Sequence, residues 1–228
     1  MRKAVRLFKQ NASGETCVCC CILMILDYYR LLPGNYPTRR QEENLYKRWG
    51  SSLGKMKEYA DRQRRFVAGT PLTAAACCLS EFDLSVRMVH SEKDLIDNTR
   101  HFYPEDLFPL VREQYLSYMV QCQDAVRSET GVNINCDRIA EELDAGQILI
   151  LMLMVPGSDG DTPHAVVADK YREQDGERYF HFCDPYFGRY EVTDTELEKK
   201  IDVPFGRGYI AVKDIANVTD KNNCPQII

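Results

Sequence analysis

The chain has 228 residues, 44% hydrophobic and 28% charged, with 29 Lys+Arg against 34 Asp+Glu for a net charge of −5. This composition is globular and excludes a disordered or collagen-like polymer, and its acidic balance speaks against a nucleic-acid partner, which selects for basic excess. The length suits one large domain, or two small ones sharing a cleft, and is enough to bury about 70% of the unfolded surface without covalent staples.

No apolar run approaches the roughly 18 residues that a membrane span needs. The longest are Cys17–Leu26 and Ile148–Val155. The first follows Arg2, Lys3, Arg6 and Lys9, as the core of a signal peptide would. Glu15 and Asp27 flank it, however, and no small-x-small cleavage pattern follows, so it reads as part of the folded domain.

The 10 cysteines include Cys19, Cys20 and Cys21 in a row and the pair Cys77-Cys78. Adjacent helical cysteines point about 100° apart and disulfide frameworks space theirs through loops, so these thiols read as small buried hydrophobes. That usage fits a reducing, cytoplasmic setting, or a delivered effector with an uncleaved N-terminus.

In chain order, Ser13-Gly14-Glu15-Thr16 supplies helix-starting chemistry ahead of a helix over Cys17–Arg30. Apolar and small residues cover every face of its first three turns, which predicts a buried central helix. Further helices are predicted at Gln41–Trp49, Leu53–Gln63, Leu72–Phe82, Glu92–Asn98, Asp106–Arg127 and Asp137–Asp144. After Gly146 the period changes. Gln147–Val155 is a strand-length apolar run, followed by strands at His164–Tyr171, Arg178–Asp184 and Arg189–Thr193, a short helix near Asp194–Ile201, and a strand at Gly208–Lys213. Helices first and an antiparallel sheet second is an α+β arrangement, with a cleft between the halves as the natural site. The expected organisation is a single domain with a helical part over 1–145, a sheet part over 146–215 and a tail over 216–228.

Three residues stand out chemically. Cys17 falls in the first turn of the buried helix, where unpaired N–H groups and the helix dipole favour a thiolate. His164 opens a strand after Pro163. Gln174-Asp175-Gly176 marks a hairpin turn, and folding the chain about Gln174 sets residue 164 opposite Asp184, ten positions away on either side. An Asp beside a His holds the imidazole tautomer and stabilises its cation, whereas a one-residue slip would place Cys183 there instead. Upstream, Gln10 or Asn11 carries a side-chain amide able to donate to an oxyanion together with the N–H of Cys17.

These residues resemble a known family. Thr16-Cys17-Val18-Cys19-Cys20-Cys21-Ile22-Leu23-Met24-Ile25-Leu26-Asp27-Tyr28-Tyr29, with Gln10 upstream, resembles the active-site segment of the bacteriocin-processing (double-glycine) peptidases, family thirty-nine of the cysteine peptidases. The other end is similar too, with the run Ile148–Val155, His164-Ala165-Val166-Val167, Asp184-Pro185 and Gly188; Gly69-Thr70-Pro71 looks like the family's middle region. The resemblance covers about Leu7–Tyr29 and Asp144–Lys213. It implies a papain-like fold in which the buried helix bears the nucleophile Cys17, with His164 as general base and acid, Asp184 as its orienter and Gln10 as oxyanion donor.

Three departures accompany it. Thr16 and Val18 replace the usual acid and glycine around the nucleophile, and the valine is expected to crowd the approach to Cys17 or alter the start of the helix. The Gln10–Cys17 spacing is one longer than the commonest form, which leaves Asn11 as a rival donor. The family's membrane transporter has no counterpart here, so free-standing relatives are the nearer comparison.

The expected activity is that of a cysteine peptidase or isopeptidase acting on a peptide or protein. The same triad would also serve an acyl transferase with an amine acceptor, and a papain-like scaffold without catalysis would bind a partner instead. Cys17-Val18-Cys19-Cys20, Cys77-Cys78 and the neighbours His181 and Cys183 do not form two spaced metal knuckles, so no metal or cofactor is expected.

Overall fold

A computed structural model describes residues 4–11, 16–50 except 33 and 35, and 69–214 except 95, 103, 104, 158, 159 and 205. The expected helix at Leu53–Gln63, the residues Ser13, Gly14 and Glu15, and the tail over 216–228 lie outside these residues. Among them the fold is α+β, with six α-helices and a seven-stranded mixed sheet.

The helices are α1 (Cys17–Tyr28), α2 (Arg39–Trp49), α3 (Leu72–Ser80), α4 (Phe108–Gln121), α5 (Cys136–Asp144) and α6 (Asp194–Lys200). The strands are β1 (Leu84–His90), β2 (Val126–Thr130), β3 (Ile148–Gly157), β4 (Gly160–Gln174), β5 (Glu177–Asp184), β6 (Gly188–Thr193) and β7 (Gly208–Asp214). They lie in the order β2-β1-β7-β3-β4-β5-β6. Every pairing is antiparallel except β1 with β2, which run parallel.

Local chemistry explains most element limits. A reciprocal capping box of Thr38 and Gln41 starts α2 two residues before the expected Gln41. A second, Thr193 with Glu196, starts α6, and the Asn135 side chain accepts the N–H of Arg138 to cap α5. Asp175 (φ 54°) and Gly176 (φ 80°) form the two-residue turn between β4 and β5, where Gln174 faces Glu177. Both central residues take positive φ, as a hairpin turn matched to strand twist requires.

Two strands arise in the stretch expected to be helical. Leu84–His90 is β1, and the helix expected over Asp106–Arg127 stops at Gln121 before the edge strand β2. Only Val126 of β2 is buried, so its sequence carries almost no strand pattern. Its parallel pairing makes the sheet mixed rather than purely antiparallel. In place of the helix expected at Glu92–Asn98 there is a 3₁₀ turn at Asp97–Phe102.

The sheet is covered on both faces. Alternate residues Val86, Ile150, Ala165, Val167 and Ile210 join the core of α1 and α3, while Leu149, Leu151, Val166, Phe182 and Tyr209 join that of α5 and α6. Ten consecutive residues of α1, Val18–Asp27, are buried, as an all-round apolar helix requires. Among the described residues no helix is long and apolar enough to cross a membrane.

Candidate active site

Cys17 is the first residue of α1 and is half-buried, whereas Cys19, Cys20 and Cys21 are fully buried. The expected capping by Thr16 is not observed. Its side chain makes no cap bond and donates instead to Glu42 Oε1. The start of α1 thus lacks a side-chain acceptor of its own, which leaves the positive end of the helix for a group beside Cys17. Burial pushes the Cys19 thiol up to about 12 and those of Cys20 and Cys21 further still. Val18 is 3% exposed and belongs to the core under α1, so its side chain is packed inward instead of crowding the approach to Cys17.

His164 lies near the start of β4 and is buried; its Nε2 meets Asp184 Oδ1 at 2.8 Å. Cys17 lies close enough to the same imidazole to raise its pKa. With Nε2 engaged by Asp184, Nδ1 is the ring nitrogen left for another partner. Burial lowers the pKa of His164, but the hydrogen bond to Asp184 and the hydrogen bond and charge of Cys17 outweigh it and raise the value to about 9.

Asp184 ends β5 and is fully buried. Its Oδ1 also accepts the N–H of Tyr186 at 2.7 Å and of Phe187 at 2.9 Å, and its Oδ2 accepts the Tyr190 hydroxyl at 3.2 Å. Burial favours the neutral acid, yet the His164 bond and charge and the two backbone donors hold the carboxyl below its ordinary value. The Phe187 ring stands edge-on to the imidazole at 6.4 Å, and Tyr186 and Phe187 are at least half exposed beside it.

The register that joins His164 to Asp184 differs from the expected direct opposition. Near the turn, Lys170 faces His181; beyond Asp169, Ala168 faces Phe182 and Val167 faces Cys183, so Asp169 is the extra residue of a bulge. Continued, that register sets Asp184 against Val166, two residues along from His164 on the same face, a diagonal that long side chains span. Without the bulge, Asp184 would oppose Val167 and point to the other face. The bulge residue is held by two distant partners: Asp169 Oδ1 meets His181 Nδ1 at 2.6 Å and Oδ2 accepts the N–H of Val5 at 3.0 Å.

Asp169, His181 and Cys183 bring an oxygen, a nitrogen and a sulfur within 4.8 Å of one another. The donors already have partners within the chain. The carboxylate takes the ring and the Val5 N–H, and the Cys183 thiol, raised to about 11 by burial, lies by the Val5 carbonyl and Arg189. The arrangement is that of a structural tie between the bulge and the N-terminal segment.

That segment leads to the two candidate amide donors. The backbone N–H of Gln10 donates to Pro185 O at 2.9 Å, directly beyond Asp184, and its side-chain Oε1 is buried with no hydrogen-bond partner. Such a buried unpaired amide oxygen is costly and marks a site where binding rather than stability sets the geometry. Asn11 is exposed, and its backbone N–H donates to Glu42 Oε1 at 2.9 Å. Of the two, Gln10 is the one buried beside the Asp184 loop.

Sequence reasoning missed Glu42, Tyr190 as a partner of Asp184, and Thr70, whose hydroxyl lies 3.3 Å from Cys19 Sγ. Glu42 sits in Arg39-Arg40-Gln41-Glu42-Glu43, which reads as a solvated charged face, and no local signal separates it from Glu43. The Tyr29 hydroxyl donates to Val212 O at 3.0 Å, and its ring packs at the edge of the core.

Compared by sequence, the chain matches no protein-family model and no curated protein.

Proposed function

We propose that the protein is a thiol hydrolase, a cysteine peptidase or isopeptidase that cleaves an amide bond of a peptide or protein through Cys17, His164 and Asp184. One observation carries the reading: a half-buried sulfur at a helix start interacts with an imidazole 147 positions further along the chain, and that imidazole is hydrogen-bonded to a buried carboxylate. Such a chain of contacts matches the requirements of a nucleophile, its base and the orienter of that base.

In the proposed reaction the Cys17 thiolate attacks the carbonyl carbon. The developing oxyanion is held by the Gln10 amide and the N–H of Cys17. His164, charged at neutral pH, gives its proton to the leaving amine, and water then attacks the thioester with the imidazole as base. Asp184, kept anionic by its neighbours, holds the imidazole ring in place throughout. The resemblance to the double-glycine peptidases supports the same assignment residue by residue.

The test combines iodoacetamide labelling with hydrolysis of a peptidyl-aminocoumarin library. The wild-type protein labels at Cys17 and releases coumarin, and Cys17→Ser loses both. His164→Ala loses about 10⁴-fold in turnover, as removal of a triad base does elsewhere. Turnover persisting in Cys17→Ser, or unchanged in His164→Ala, refutes the reading.

A further inference from the structure

Glu42 is a fully buried carboxylate with no place in the triad. Its Oε1 accepts the backbone N–H of Asn11 at 2.9 Å and the hydroxyl of Thr16, and its Oε2 accepts Arg39 Nη1 at 2.6 Å. Burial penalises its charge, but Thr16, Asn11 and Arg39 outweigh that and keep it ionised. A buried charge satisfied on both oxygens, and costly to leave half-satisfied, fixes the groups bound to it.

Those groups flank the reacting atoms. Asn11 follows Gln10, and Thr16 precedes Cys17. Gln10 is also tied on its other side, through its own N–H, to Pro185 next to Asp184. The amide donor is therefore pinned between the carboxylate loop of the sheet and a clamp that ends at the nucleophile helix. We infer that Glu42 is a positioning residue which, by bridging Asn11 and Thr16, sets the Gln10 amide relative to Cys17 and so governs oxyanion stabilisation. This inference rests on the hydrolase reading above. It also gives a role to the departure at Thr16, whose hydroxyl reaches a carboxylate borne by another helix.

Two reagents separate this role from a general structural one. Para-nitrophenyl acetate acylates the thiolate: a C–S bond forms, the C–O bond breaks, nitrophenolate leaves, and a tetrahedral oxyanion intervenes. Iodoacetamide alkylates the same sulfur by displacement of iodide, with no oxyanion. Removing one oxyanion donor costs about 10²–10³-fold in rate, so Gln10→Ala is expected to slow acylation by about 10²-fold and leave alkylation within about twofold. Glu42→Gln keeps the shape but cannot accept on both sides at once, and it is expected to slow acylation about tenfold with alkylation unchanged.

In the Gln10→Ala background, Glu42→Gln should then cost nothing further, since residues acting through one another are non-additive. Equal slowing of both reactions by Glu42→Gln, or the same acylation loss with and without Gln10, overturns the inference. A second measurement stands apart from catalysis, namely amide hydrogen exchange at Asn11, expected to accelerate at least tenfold in Glu42→Gln while the amides of Leu23–Leu26 keep their protection. Unchanged exchange at Asn11 also overturns it. If wild-type and Cys17→Ala proteins are equally inert to both reagents, the hydrolase reading fails, and the exchange measurement still decides whether the clamp exists.

Discussion

Replacing Asp184 with asparagine tests the electrostatics of the site without touching Cys17. The His164 pKa is raised from 6.5 to about 9. At 1.36 kcal/mol per unit, that difference is worth about 3 kcal/mol of folding free energy for a side chain that is almost fully buried. Because the folded value lies above the unfolded one, this contribution is fully present below pH 6.5 and is lost as the pH rises through about 9. The substituted amide retains an acceptor but no charge, so only Cys17 is left to oppose burial and the imidazole titrates below its wild-type value.

The stability gap between wild type and Asp184→Asn should therefore shrink by at most about 3 kcal/mol between pH 6 and pH 9.5, since Cys17 supplies the remainder of the shift. Urea unfolding under reducing conditions, repeated across that range, measures it. Taking the difference cancels the buried thiols, whose raised pKa values cost both proteins stability as the pH passes 9. Asp184 itself, held below 3.8, titrates outside the window. NMR titration of the His164 ring gives an independent value. A wild-type His164 that titrates at or below 6.5, or a stability gap that does not change with pH, refutes the charge arrangement.

Deleting Asp169 should remove the bulge yet leave Ala168 opposite Phe182 and Asp184 opposite Val166, so alkylation of Cys17 and the raised His164 titration both persist, and an imidazole that no longer titrates near 9 contradicts the register argument. Cys19→Ala, Cys20→Ala and Cys21→Ala each truncate a fully buried side chain and should cost about 1–2 kcal/mol in denaturant melts, yet mass spectrometry should still find the iodoacetamide adduct on Cys17. At Gly208 an added Cβ would lie 2.7 Å from His90 Cδ2. Gly208→Ala should destabilise by about 1–3 kcal/mol, as overpacking does. His90→Ala in the same chain should return part of that loss, and a purely additive pair of thermal melts refutes the contact.

Element identity was legible wherever burial is written into periodicity. The all-round apolar run of α1 and the continuous apolar run of β3 declare themselves, since each is enclosed by the rest of the fold. β2 was not legible because a parallel edge strand with one buried residue has no face to encode, and a helical reading of the preceding segment ran through it. The candidate site was legible as residue types in local context: a cysteine at a helix start, a histidine near the start of a strand (β4 begins four residues earlier than expected, at Gly160) and Asp-Pro closing one. The supports were not, because their partners are remote. Glu42 joins Asn11 and Thr16 from 31 and 26 positions away, and nothing near it in sequence distinguishes it from a solvated glutamate.

The pairing of His164 with Asp184 shows where local reading stops. Counting outward from an assumed turn centre at Gln174 set the two residues directly opposite, and they do share a face, but for a different reason. The turn is centred between Asp175 and Gly176, which alone would place Asp184 on the wrong side of β5; the extra residue at Asp169 restores it. The shifted turn centre moves the facing residue by three positions and the bulge moves it back by one, which restores the face, and neither displacement is encoded where it acts. The bulge is fixed by His181 on the facing strand and by the Val5 N–H, 164 positions away, on the segment that also leads to Gln10. The N-terminal segment thus serves the site twice, holding the register that aims the carboxylate and delivering the amide beside it. A shift there would reach His164 and Gln10 together, which is why the geometry of the proposed triad and the position of the proposed donor are best treated as one coupled quantity.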